Sequence, residues 1–136
     1  MKRTLLAVVT ALLAWLVVAS LLDLLLQHTM AGYAAAIPTL SFTLGMMQAR
    51  LAIAALSLLT AGAVAAWVAP ADRWAPPIAG LIVLAVFLPL HVMIWHRLPV
   101  WYHLTFLVTL VPLVMLGARL ARRRAPAAPG MRDAAT

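Results

Sequence analysis

The chain has no cysteine and no glutamate, and its 136 residues include only three acids, Asp23, Asp72 and Asp133. Without a thiol there is no disulfide, no thiolate-bound metal and no cysteine nucleophile. Without glutamate the commonest proton carrier of membrane interiors is missing too. No paired carboxylates, no Gly-x-Ser-x-Gly turn, no P-loop and no Gly-x-Gly-x-x-Gly loop occur, so the usual enzyme frameworks are excluded and no cofactor is called for. Charge is equally scarce: 10% of residues are charged against 66% hydrophobic. A soluble domain carries about a quarter charged residues, because it needs a polar skin. With a mean hydropathy of +1.06, the chain reads as an integral membrane protein.

What charge there is has a pattern. The net charge is +7, and Lys2 and Arg3 precede the first apolar run while Arg119, Arg122, Arg123, Arg124 and Arg132 follow the last. No basic stripe with interleaved aromatics stands outside the apolar part, which argues against nucleic acid. Bases that flank apolar runs set membrane orientation and meet anionic lipid head groups.

Crossing a hydrocarbon layer about 30 Å thick takes about 20 apolar residues in a helix. Four such spans fit, at about 4–26, 49–69, 78–96 and 100–119. The expected fold is an all-α, four-helix transmembrane bundle, with residues 1–121 as one domain and 122–136 as a basic, disordered tail. Lys2-Arg3 before an apolar run also has the outline of a signal peptide, but the run is too long and reads as an uncleaved span. Pro38 suits the first turn of a second helix starting near Thr39. Pro89 and Pro112 lie inside the third and fourth spans, where each removes a backbone donor.

With both termini cytoplasmic, the inner side holds Lys2, Arg3, Arg73 and the five tail arginines, and the outer side only Arg50 and Arg97. That bias predicts an N-in, C-in protein of a bacterial inner membrane. Trp67 and Trp74 then fall at the inner head-group level and Tyr33, Trp95, Trp101 and Tyr102 at the outer one, while Trp15 reads as packing within a span. Within the second span Ser57, Ala61 and Ala65 recur every fourth residue beside Gly62, a smooth ridge suited to close helix contact. Its partner is open: the first span, the fourth, or a second copy.

The polar residues collect on the outer side. Asp23, Gln27 and His28 end the first span, Gln48 and Arg50 begin the second, His91, His96 and Arg97 end the third, and His103 opens the fourth. Asp23 is read first as an ion pair with Arg50 that joins spans one and two, and alternatively as a proton or cation site, since an acid within a span is costly. His91 is read as donating to a carbonyl freed by Pro89. A soft-donor metal site of His91, His96 and Met93 is a third reading, suited to copper, although no His-x-x-x-His or Met-x-x-Met spacing supports it. Two facing histidines for haem are not expected, because only the third span holds a histidine within its length.

The ending LHVMIWHRLPVWYHLTFLVTLVPLVMLGARLARRR, residues 90–124, with its loop Leu98-Pro99-Val100-Trp101-Tyr102 and the closing Leu116-Gly117-Ala118-Arg119, resembles the end of small bacterial four-span membrane proteins to which no activity is assigned. The resemblance implies a four-helix inner-membrane protein and transfers no catalytic residue. The sequence thus leads to a structural or accessory subunit, not an enzyme, that packs on itself or a larger membrane partner. A small oligomeric transporter or proton-coupled carrier using Asp23 and His91 is the alternative, and copper binding the third reading.

Overall fold

The computed structural model describes residues 1–124, and all of its regular elements are helices: α1 (Lys2–Thr29), α2 (Tyr33–Thr39), α3 (Leu44–Val68), α4 (Ala75–Met93) and α5 (Val100–Arg124). α1, α3, α4 and α5 are long and apolar enough to cross a membrane. The short α2 was not expected. Gly32, in the left-handed region at φ 76°, turns the chain into it, and Leu40 at φ 55° turns it out again. Pro38 therefore lies in the last turn of α2 and does not open α3. α3 starts instead where the Thr43 side chain accepts from the Met46 N–H, a standard N-terminal cap.

Two other boundaries differ from the sequence reading. α4 stops at Met93, so Trp95 and His96 belong to the turn that follows. α5 continues through Arg122, Arg123 and Arg124, past the boundary at 121; the rest of the expected tail lies outside the described residues. Cations in a helix's last turn complement its dipole, which favours this extension.

α1 and α3 form one antiparallel hairpin and α4 and α5 a second. Asp23 meets Arg50 across the first, and His91 meets His103 across the second. The hairpins stack so that like-directed helices touch: Trp15 of α1 packs edge-on against Phe87 of α4, and Arg50 of α3 reaches Tyr102 of α5. The order around the bundle is α1, α3, α5, α4, which leaves α3 and α4, consecutive in sequence, only weakly in contact across the diagonal.

The ridge on α3 finds two of its three candidate partners. Ala61 and Ala65 join Ala7, Val8 and Ala11 of α1 and Leu110 and Val114 of α5 in one buried cluster. Beside them Gly62 faces the Val114 carbonyl of α5 and Gly117 faces the Leu59 carbonyl of α3, so closely that a Cβ on either glycine would overlap the opposite backbone. In lipid there is little hydrophobic drive between helices, so such backbone approach supplies the contact energy. Ser57, fully buried, returns its hydroxyl to the Ile53 and Ala54 carbonyls of its own helix.

Candidate functional site

The end of the bundle opposite Lys2 and Arg124 carries the α1–α3 connection and the α4–α5 turn, and its polar side chains converge on Arg50. Arg50 Nη1 donates to the Tyr33 hydroxyl at 2.8 Å, and Nε donates to the Tyr102 hydroxyl at 3.3 Å. These are the only tyrosines in the chain. Tyr33 passes its own proton to Asp23 Oδ1 at 2.7 Å, while Gln27 Nε2 donates to Asp23 Oδ2 at 2.8 Å. The Asp23–Arg50 ion pair is itself longer, 3.8 Å, with both side chains about a third exposed (37% and 35%). Tyr33 thus bridges the charges, and the guanidinium also covers the Phe42 ring at 4.7 Å. Four helices, α1, α2, α3 and α5, are tied together by this clamp.

Tyr33 and Tyr102 lie at the end where the sequence reading put them, and within the chain they are 0% and 3% exposed. The clamp supplies the physical reason: each hydroxyl is worth more as a partner of a guanidinium than of water. Tyr33 lies outside the spans, and burial first, then its hydrogen bond to Asp23, pushes its phenol up to about 12.

Beneath the clamp lies a half-open pocket of about 130 Å³ with Asp23 and Arg50 at its polar end and Trp15, Phe87, Tyr102 and Phe106 among its walls. Behind the aromatic wall sits a second polar pair. The Nδ1 atoms of His91 and His103 are 2.9 Å apart, so one ring donates its N–H to the other. His91 stacks on Phe106 and His103 on Trp95, with ring centroids 4.6 and 4.7 Å apart. The carbonyl freed by Pro89 is therefore not the partner of His91. His103 lies in the first turn of α5, where the sequence reading put it, and is fully buried, with Nε2 unpartnered. The sequence reading did not foresee this pairing between the neighbouring helices α4 and α5. Their separation is that of a single N–H···N hydrogen bond.

The remaining expected site residues are elsewhere. His96 and Arg97 are exposed in the α4–α5 turn, Gln48 is exposed on α3, and Met93 is 80% exposed. His28 caps back onto the Leu24 carbonyl of its own helix. The donor set His91, His96 and Met93 is not brought together, and among the described residues no three His, Cys, Asp or Glu side chains cluster as a metal site. Tyr33, Tyr102 and His103 are the members that sequence reasoning missed.

At the opposite end, Arg119, Arg123 and Arg124 are exposed, whereas Arg122 turns inward and donates from Nη2 to the Asp72 carbonyl at 2.6 Å. The Asp72 carboxylate accepts from the Trp74 and Ala75 N–H groups ahead of α4. A hydrogen bond from Thr4 and then the Trp74 N–H hold its pKa below the usual carboxylate value. Arg122 is thus a strut between α5 and the α3–α4 turn.

Fold and site together define a four-helix membrane-type bundle with an internal polar clamp. Comparison with family models, curated proteins and solved structures gives no match for the chain.

Proposed function

We propose that this is a small polytopic protein of a bacterial inner membrane, N-in and C-in, that serves as a structural or accessory subunit and not as a catalyst. The observation that carries the reading is the set of partners on Asp23: one carboxylate oxygen accepts from Gln27, the other from Tyr33, and Arg50 lies alongside. The carboxylate is 37% exposed and keeps free lone pairs. Its partners come from α1, α2 and α3, the arrangement of a clamp.

The distribution of lysine and arginine supports the orientation, and the resemblance of residues 90–124 to small bacterial membrane proteins supports the location. Arg119, Arg123 and Arg124 are free to meet anionic head groups. A larger membrane partner, or a second copy, would pack on the lipid-facing sides of the helices, of which α1 is the least covered.

The reading is tested in vesicles containing the purified protein. Wild type is expected to conduct no protons, and Asp23→Asn to lower Tm by several degrees. A pH-dependent flux in wild type that disappears in a folded Asp23→Asn variant would replace the clamp with a carrier. A reporter fused after Thr136 is expected to register as cytoplasmic; a periplasmic signal reverses the orientation.

A further inference from the structure

Trp15 is a wall shared by two spaces. On one side is the cavity under the clamp; on the other, between α1 and α4, is a groove of about 280 Å³ whose remaining lining is aliphatic, including Leu12, Leu16, Ile82 and Val86. The groove faces lipid and the cavity faces the polar clamp. One indole separates an apolar channel from a compartment with a hydrogen-bonding end.

The chemistry of the cavity restricts what it holds. Its volume, about 130 Å³, is close to the roughly 150 Å³ engineered cavity that takes up benzene. Of the chain's five tryptophans, two tyrosines and three phenylalanines, Trp15, Phe87, Tyr102 and Phe106 line it, and aromatic walls favour a flat ring. The polar end is neutral overall, because Asp23 and Arg50 both border it. An anionic head would meet Asp23 and a cationic one Arg50, so an uncharged head is preferred. Among the described residues, Arg50 Nη2 donates to nothing, and Tyr102 accepts from Arg50 without passing its own proton on. Two spare donors call for acceptor oxygens on the ligand.

We propose that the cavity and the α1–α4 groove form a single site for an amphipathic lipid with an uncharged, carbonyl-bearing ring and an apolar tail, of the quinone class, with Trp15 as the divider that swings aside to admit it from the bilayer. The ring lies against the wall that Phe87 and Phe106 form together, their own centroids 5.0 Å apart, with a carbonyl toward Arg50 and Tyr102. The tail leaves past Trp15 along the aliphatic groove. The site binds and positions the lipid; no electron transfer is part of the proposal. The site shares Arg50 and Tyr102 with the clamp, and it neither requires nor excludes the accessory role.

Decyl-substituted benzoquinone, which quenches indole fluorescence on contact, is the probe. The protein carries Trp15 as its single tryptophan, the other four being replaced by phenylalanine, and its helicity is checked against wild type. Saturable quenching is expected. Ala19→Phe, which fills the cavity from α1, is expected to abolish the saturable part, as is Ala54→Leu from α3 should the first variant not fold. Tyr102→Phe should weaken binding about fivefold, the cost of one hydrogen bond. Decylbenzene, which keeps the tail and ring but lacks the carbonyls, should compete poorly. Quenching that rises linearly without saturation, that survives both cavity-filling variants, or that an equimolar amount of decylbenzene halves, would overturn the proposal.

Discussion

The Nδ1 atoms of His91 and His103 lie 2.9 Å apart in the buried seam between α4 and α5, and that distance accommodates one proton and no more. The two rings must hold complementary tautomers. His91→Phe would leave His103 fully buried with neither nitrogen partnered, at a cost of about 1–3 kcal/mol. The double variant H91F/H103F is expected to be less destabilised than the sum of the single variants, since it leaves no orphaned nitrogen. Thermal unfolding in detergent gives the comparison, and strict additivity would show that the rings act separately.

Tyr33 docks α2 onto the bundle through two hydrogen bonds to charged groups. Tyr33→Phe keeps the ring and removes both bonds, so a loss of about 2 kcal/mol is expected. Amide exchange across residues 33–39 should accelerate while that of α3 changes little. Unchanged protection in α2 would mean that its apolar contacts alone hold it.

The same phenol gives the clamp an alkaline limit. Its pKa is raised in the folded chain from 10.0 to about 12, by burial and then by Asp23. A raised pKa contributes stability that is complete below the unfolded value and is lost as pH climbs through the folded one. Tm is therefore expected to fall between pH 10 and about pH 12. Tyr33→Phe should fall less over that interval, and an equal fall in both proteins would assign the effect to other groups.

The α3–α5 crossing should tolerate almost no added volume. Gly62→Val and Gly117→Val drive a side chain into the opposing carbonyl, and a loss above about 3 kcal/mol is expected for each. Gly45→Ala is the control, because a Cβ there meets only the Met30 Cε at 3.6 Å. Far-ultraviolet dichroism during heating distinguishes them; a Gly62→Val protein as stable as wild type would mean that the crossing is looser than described.

Length and hydropathy made the four long helices legible in the sequence, because each apolar run is bounded by prolines or bases. The small ridge of Ser57, Ala61, Gly62 and Ala65 was legible as an interface, but its partner was not: helix adjacency in a bundle depends on side-chain fit across the chain. Asp23 and Arg50 could be matched as the opposite charges on one side. Tyr33 and Tyr102 were read only as interfacial rings, because an exposed tyrosine and a buried one look alike until a charged partner is located. His103 was placed at the start of the fourth span, and α5 does begin at Val100; what stayed illegible was its partner, because pairing with His91 depends on how α4 and α5 pack. Arg122 looked like one of three equivalent tail bases, and only its inward turn to the Asp72 carbonyl sets it apart.

Arg50 and Tyr102 are 52 residues apart in sequence, which orders events during insertion of the chain. When the α1–α3 hairpin is complete, Arg50 already has Asp23 and Tyr33 nearby, but its Nε waits for the last helix to arrive. The glycine crossing between α3 and α5 waits for the same helix. A chain stalled before α5 therefore holds an incompletely matched guanidinium and an open seam of small residues. Its final span acts as the bolt that closes the assembly, and truncation at that point should mark the product for proteolysis.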